Sequence, residues 1–401
     1  GLPPERPTIE RMMAAIKHRG PDDEGLFLDE QVGLGFVRLS IIDLSPLGHQ
    51  PMFSKDNRYS IIFNGEVYNF LELRSELIKK GYHFVSKTDT EVVLNSFIEW
   101  GEECLNRFNG MWALVIYDRV KQELFCARDR FGIKPFYYYH NNDQFVFASE
   151  IPALLATLGK KPTVHNEVMF DYMVYNRTDQ AEHTFFNEIK KLQHGHKIRI
   201  NTCRNNIAPV KWYDLKSRLE KSLPFPDSAA FRETFTSAIN LRLRSDVPVG
   251  VCLSGGLDSS SIVSTLLRTF KKNDINTFSA VYGNGQTGDE SEFINEFNPF
   301  VMNMNYITPT ADSFYSDLYK FVYTHSEPFP STSIYAHYKV MERAKQTVKV
   351  TLDGQGADEE MGGYHYFFGF YYKELLRQFR FLKLIKELKC YWSNHHSLYG
   401  F

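Results

Sequence analysis

Residues 247–261, VPVGVCLSGGLDSSS, run a short β-branched strand into a glycine turn that opens a helix, and no other stretch restricts the fold so tightly. Val247, Val249, Val251 and Leu253 alternate with smaller residues as a core strand does. Residues 257–267 continue as a helix with Ile262, Val263, Leu266 and Leu267 on its apolar side. Ser254, Gly255 and Gly256 form the junction. Glycine lets the backbone come close to a ligand, and the free N–H groups of the first helical turn, beside the Ser259 and Ser260 hydroxyls, favour an anion. A phosphate group is the expected guest.

The usual nucleotide loop is excluded, because no Lys follows the second glycine and an acid, Asp258, stands inside the turn. A carboxylate beside phosphates implies Mg²⁺, which is held by one or two carboxylates and phosphate oxygens. The alternative is a Gly-Gly turn without a ligand. A second glycine loop with acids, DGQGADEEMGGY at residues 353–364, follows another short apolar strand, VKVTL at residues 348–352. Ligands of open parallel sheets bind at the carboxyl ends of the strands, so both loops can face one nucleotide, with Asp358 as the second metal ligand. Alone, such an acidic run reads as a solvated surface loop.

SGGLDSS followed by LDGQGADEEMGGY resembles the ATP-pyrophosphatase domain of glutamine-dependent asparagine synthetases of the B type. Upstream, HRGPDDEG (residues 18–25), VRLSIIDLSPLGHQPM (37–52), IIFNGEVYN (61–69), KTDTEV (87–92) and ARDRFGIKPFYY (127–138) resemble the glutaminase domain of the same enzymes, in matching order. The resemblance implies that Ser254, Gly255, Gly256, Asp258, Ser259, Val281, Asp353 and Gly354 bind ATP and that Asp258 and Asp358 hold Mg²⁺. It implies an α+β N-terminal-nucleophile (αββα) glutaminase sandwich at residues 1–213. An α/β Rossmann-like ATP-pyrophosphatase domain at residues 220–401 would follow.

The glutaminase residues also make sense physically. Free glutamine needs a cation for its carboxylate, anions for its ammonium, and an oxyanion hole. Arg38 can clamp the carboxylate through two hydrogen bonds. Glu66 and Asp89 suit the ammonium, and the Asn64 side chain with the Gly65 N–H suits the oxyanion. Each has an ordinary explanation: an Asn-Gly hairpin turn at 64–65, a helix cap at Asp89, a surface ion pair at Arg38. Singly those explanations win; as a set at matching positions they do not.

The family's nucleophile is an N-terminal cysteine whose own amine serves as base. This chain starts at Gly1, so a short leading segment is expected to precede it; otherwise the glutaminase half is inactive and ammonia is taken directly. Cys104, Cys126, Cys203, Cys252 and Cys390 are not N-terminal, and Cys126 and Cys252 read as core thiols. At the other end, residues 373–392 read as one amphipathic or basic helix, expected to pack on its own domain or on a further segment.

A formal charge of −2 over 401 residues gives no general attraction to nucleic acid or anionic membrane. Five cysteines without CxxC spacing argue against a disulfide framework or zinc site, and with ATP chemistry favour the cytoplasm. No apolar run is long enough to span a bilayer. Aromatics are dense at 135–139 and 364–372, where packing is the default role. Short alternating strands fill the first half around helices that include residues 89–108. After a polar stretch at 216–226, helix 228–245 leads into parallel-type strands near Val249, Phe278 and Val350.

The expected activity is therefore amidation of a carboxylate through an acyl-adenylate, with ammonia passed from glutamine hydrolysis through an internal channel. Aspartate is the default acceptor and AMP and pyrophosphate are released. A homodimer is allowed for but not read from the residues. Asp353 and Gln355 stand where the best-known asparagine makers carry Ser and Glu, which leaves the acceptor open to a sugar uronic acid or a natural-product intermediate. A catalytically degenerate binding or regulatory homologue is the third expectation.

Overall fold

The computed structural model describes residues 3–202, 207–283, 286 and 288–396. Gly1 and Cys203 lie outside the described residues. The chain divides into two units: Gly1–Val249 with Pro309–Val350, and Gly250–Thr308 with Thr351–Phe401.

The first unit begins with helix α1 (Arg6–Ala15) and hairpin β1 (Asp23–Leu28) and β2 (Gly33–Arg38). A six-stranded sheet then forms from β3 (Met52–Phe53), β4 (Tyr59–Val67), β5 (Gly110–Asp118), β6 (Glu123–Arg128), β10 (His196–Asn201) and β11 (Val210–Lys211). A three-stranded sheet contains β7 (Tyr137–His140), β8 (Phe145–Ala148) and β9 (Ile189–Lys191). Every pairing of these strands is antiparallel.

Strand alternation decides the layers, because successive side chains point to opposite faces. Ile61, Phe63, Leu114, Ile116 and Phe125 pack on Leu73 and Leu77 of α2 (Phe70–Lys79) and on Val92, Val93 and Phe97 of α3 (Asp89–Trp100). Their neighbours Val115, Tyr117, Leu124, Cys126 and Ile198 face the other way, against Leu34, Phe136 and Tyr138. Beyond that second layer, Ile9 and Met13 of α1 cover Val37, and Ile151 and Leu154 of α5 (Ile151–Leu155) cover Ile189. The order is helix, sheet, sheet, helix: the expected αββα sandwich.

The single helix expected at residues 89–108 is broken. α3 stops at Gly101, whose φ of 57° ends the helix, and a one-turn helix α4 (Cys104–Arg107) follows a 3₁₀ turn. Further helices of this unit are α6 (Asn166–Tyr175), α7 (Leu215–Leu219) and α8 (Ser228–Arg242); the last is three residues shorter than the expected 228–245.

In the second unit, β12 (Val249–Cys252) leads into α9 (Leu257–Arg268), then β13 (Asn276–Ala280), α10 (Ser291–Asn295) and β14 (Asn303–Ile307). β12 pairs parallel with β13, and β13 with β14. The chain crosses α11 (Ala311–His325) and α12 (Ser333–Ala344), which belong to the first unit, and returns as β15 (Val350–Leu352) beside β12. The strand order β14-β13-β12-β15 therefore reverses between β12 and β15, the position at which α/β sheets bind ligands. Val251, Leu253, Phe278, Val263 and Leu266 are buried, as their spacing predicts.

After β15 come α13 (Ala357–Met361), α14 (Tyr366–Arg377) and α15 (Phe381–His395). The one helix expected over 373–392 is instead two, interrupted at Phe379 with φ 56°. The two pack on each other through Tyr372, Leu375, Leu384 and Tyr391, so this aromatic run does serve packing.

Candidate active sites

In the first unit, Asn64 and Gly65 lie in mid-strand, paired with Ala113 and Trp112, which removes the hairpin-turn explanation. The buried Gln50 side chain fixes the strand just before them: its Oε1 accepts from the Phe63 N–H at 2.7 Å. The Asn64 amide donates to the Ser149 hydroxyl at 3.4 Å.

Asp89 is not a helix cap either. Thr88 caps α3, accepting from the Glu91 N–H at 3.2 Å, and Asp89 takes the first helical position with its carboxylate turned inward. There Asp89 Oδ2 accepts from the Val67 N–H at 2.9 Å. Burial pushes its carboxyl up to about 6, against the pull of backbone donors and Arg38. Glu66 lies beside it. Its Oε2 is sealed from solvent and accepts no hydrogen bond, while burial and then the Asp89 charge raise its carboxyl well above the usual range. The two acids thus stand together with one oxygen unpartnered.

Arg38 ends β2 and is buried, so the surface ion-pair explanation falls. Its guanidinium donates to the carbonyls of Ser45 at 2.9 Å and Asp43 at 2.5 Å, holding the loop that follows. Gly48 makes room for it, since a Cβ there would lie 1.8 Å from Nη2. Cys104 and Cys126 are buried, with thiols pushed far up by desolvation; neither is a nucleophile.

Sequence reasoning passed over Asp129 and Arg128, although they lie inside the quoted motif at 127–138. Asp129, essentially buried, accepts from the N–H groups of Trp112, Phe131, Ile133 and Lys134 at 3.0–3.2 Å. Arg128 donates to the carbonyls of Gly132, Lys134 and Leu192 at 2.6–2.7 Å. The turn is thus tied down from both sides.

In the second unit, Gly255 takes φ 90°, a conformation natural only to glycine, and Gly256 begins α9. The Ser259 hydroxyl is buried beneath the turn, accepting from the Ser254 N–H at 3.1 Å and lying 3.0 Å from the Ser254 hydroxyl. The second loop comes up against this turn. A Cβ on Gly354 would meet both the Asp258 Cβ and the Ser259 nitrogen at 3.1 Å. The Asp258 carboxyl is raised by burial, then by the charges of Asp358 and Glu359, which places those carboxylates in one electrostatic neighbourhood. Glu359 was not expected there; its i, i+1 position after Asp358 was the only cue.

Asp358 lies against Gly363, where a Cβ would sit 1.9 Å from its Oδ1. Asp353 accepts from the Gln355 N–H at 3.0 Å and so shapes its own loop. Burial and then Asp353 push the Cys252 thiol up to about 12, so it behaves as a neutral thiol. Val281 lines a cavity of about 370 Å³ beyond the carboxyl ends of β13 and β14, with Tyr282, Ser291, Asn295, Tyr306 and Thr308.

Residues 2–213 match the glutamine amidotransferase domain family, and residues 230–398 match the asparagine synthase family. The chain belongs to the glutamine-hydrolysing asparagine synthetase family. A putative asparagine synthetase 2 of Methanocaldococcus jannaschii is 33% identical over 94% of this chain and 76% of its own length. Asparagine synthetase 1 of Bacillus subtilis is 36% identical over 89% of this chain, which spans only 56% of that relative. The Gibberella zeae protein named amidase chry2 is 30% identical over 90% of this chain and 55% of its own length. Among solved structures, the B. subtilis glutamine phosphoribosylpyrophosphate amidotransferase with ADP and GMP aligns over 78% of this chain and 68% of its own, at a TM-score of 0.40 and 15% identity. Among the described residues, no helix is long and apolar enough to cross a membrane.

Proposed function

We propose that this chain carries the glutamine-hydrolysing and ATP-consuming halves of an amidotransferase that converts a carboxylate, aspartate by default, into its amide. Residues 1–213 are the glutaminase part and residues 220–401 the synthetase part. The observation that carries the reading is the approach of Gly354 to Asp258 and Ser259, which brings two glycine loops together at the sheet's switch point.

Glutamine would be held by Arg38 at its carboxylate and by Glu66 and Asp89 at its ammonium. Asn64 and the Gly65 N–H would receive the oxyanion as an N-terminal cysteine of the mature protein attacks the amide. In the second unit, Ser254, Gly255, Gly256 and Ser259 would cradle the ATP phosphates. Asp353, Gly354 and Val281 would flank the rest of the nucleotide.

A divalent cation suits these loops, because the Asp258 carboxyl is raised by burial and then by the charges of Asp358 and Glu359, which a bound cation would offset. Asp258 and Asp358 would hold Mg²⁺, which when bound neutralises the phosphate charge that leaves as pyrophosphate. A carboxylate is a poor electrophile, and adenylation equips it with a good leaving group before ammonia attacks.

A second reading keeps this chemistry and changes the acceptor. It is favoured by Asp353 and Gln355, which stand beside the nucleotide loop where Ser and Glu are usual, and by a relative named as an amidase. Product analysis tests the reaction class: AMP and pyrophosphate are expected from ATP, ammonia and acceptor, whereas ADP and phosphate would overturn the adenylation step. Aspartate against other carboxylates as the acceptor decides between the two readings. We place the protein in the cytoplasm, with glutamine, ATP and the acceptor as its partners.

A further inference from the structure

We propose that Asp246 is a positioning residue of the glutamine site: it pins the loop gripped by Arg38 to the segment that runs into β12, and so links glutamine binding to ATP binding. This rests on the reading of Arg38 as the carboxylate clamp and of the SGGLDS turn as the phosphate cradle.

The contacts are direct. Asp246 Oδ2 accepts from the Asp43 N–H at 2.8 Å, and the Asp246 N–H donates to the Ile41 carbonyl at 3.0 Å. Two residues earlier, Arg244 donates to the Tyr68 carbonyl and to both carboxylate oxygens of Glu72, each at 2.6 Å. Residues 244 and 246 therefore tie the loop after β2 to the exit of β4, the two strands that carry Arg38 and Glu66.

Asp43 is the hub on the receiving side. It is buried, and its φ of 54° is uncommon for a residue with a side chain, so its contacts hold it there. Its carbonyl accepts from Arg38 Nη2 at 2.5 Å. Its Oδ1 accepts from the Ser45 N–H at 3.1 Å and the Ser45 hydroxyl at 2.6 Å, and its Oδ2 from the Lys87 N–H at 2.7 Å, two residues before Asp89. The carboxylate side and the ammonium side of the glutamine site thus meet at one residue, and Asp246 takes its N–H.

A second anchor reaches the same loop. Lys349 Nζ donates to Asp22 Oδ2 at 2.6 Å; that oxygen also accepts from the Ser40 N–H at 2.7 Å, and the Asp22 N–H donates to the Arg38 carbonyl at 3.0 Å. Asp246 lies three residues before β12 and Lys349 one before β15, the strands whose carboxyl ends lead into the two glycine loops. Arg38 would meet the substrate carboxylate with the guanidinium that now holds the carbonyls of Ile42, Asp43 and Ser45, so docking redistributes its donors and loosens its hold on the loop. The anchors at 246 and 349 then keep the loop in place. ATP, by ordering the glycine loops, steadies the strands behind those anchors, and glutamine meets a loop that has less freedom left to lose.

Linkage between the two ligands is a readout that a merely structural role would not move. Binding needs no nucleophile, so glutamine itself is the probe, titrated into this chain by calorimetry with and without ATP and Mg²⁺. In wild type, ATP should tighten glutamine about fivefold or more, and glutamine should tighten ATP by the same factor. Asp246 is exposed, so Asp246→Ala removes the acceptor without opening a core. That variant should bind glutamine more weakly, and ATP should leave its glutamine affinity unchanged. Asp246→Asn keeps an acceptor oxygen and should restore the linkage, while Lys349→Met should reduce it from the other anchor. Absence of linkage in wild type overturns the proposal whatever the variants do, and so does equal linkage in wild type and Asp246→Ala. If wild type fails to bind one of the two ligands at all, the reading of that ligand's site falls instead, and this proposal with it.

Discussion

Gly65 stands so close to the neighbouring strand that a Cβ on it would lie 2.3 Å from the Met111 carbonyl oxygen and 2.7 Å from the Trp112 Cα. Backbone is in the way, so Gly65→Ala must push β4 and β5 apart rather than rotate a side chain. The expected cost is about 1–3 kcal/mol in urea unfolding, typical of an overpacked core. Because Asn64 precedes it on the same strand, glutamine binding should fall as well. An unchanged midpoint and affinity would sink the claim that this glycine is needed for close strand approach.

Much of this was legible in the residues. Periodicity 2 in the first half and the strand-glycine-helix signal at 247–261 gave away two unlike architectures, because both patterns are set by which side chains must be buried. Helix ends were less visible. Gly101 with φ 57° and Phe379 with φ 56° break what read as continuous helices, and tertiary context decides such breaks. The Asn64–Gly65 pair shows the limit from the other side: its local chemistry suggests a turn, yet long-range pairing with β5 overrides it. Glu359 escaped because its influence lies in the charge it brings near Asp258, and one chain written in order does not display that.

The acids Glu66 and Asp89 should make the protein less stable as pH rises. Their folded carboxyls sit above their unfolded values, so the native state binds more protons and stability is lost between the ordinary Asp value of 3.8 and about 6 for Asp89. Glu66, raised well above 4.5, extends the same loss in the same direction. Glu66→Gln removes one unpartnered buried charge, and should raise Tm at neutral pH while abolishing measurable glutamine affinity. The gain should vanish below about pH 4, where wild type is protonated too. A variant less stable than wild type at pH 7 would contradict this.

Asp129→Ala tests the mount of the turn at 129–134. Removing the carboxylate orphans the buried Trp112 N–H, worth about 1–3 kcal/mol when left unsatisfied, and frees three part-buried N–H groups of the turn. Relaxation and water recover part of that, so a loss of about 1–3 kcal/mol is expected from chemical unfolding. Asp129→Asn keeps an acceptor and should lose less. Equal losses for the two variants would mean that the charge, rather than the acceptor geometry, holds the turn.

Gly354→Val isolates the second loop's approach to the first. The Cβ position of Gly354 is 3.1 Å from both the Asp258 Cβ and the Ser259 nitrogen. A branched side chain there must lift the second loop away from the helix start, separating Asp258 from Asp358 and Glu359 and spoiling the Ser259 amide as a phosphate donor. ATP affinity should fall roughly tenfold or more, equivalent to about 1.4 kcal/mol, while glutamine affinity stays at the wild-type value. Magnesium dependence should weaken in parallel, since the two acids no longer share one neighbourhood. Both affinities can be read by calorimetry on the same preparation. Unaltered ATP binding would mean that the loops act independently, and that the phosphate cradle needs only the SGGLDS turn.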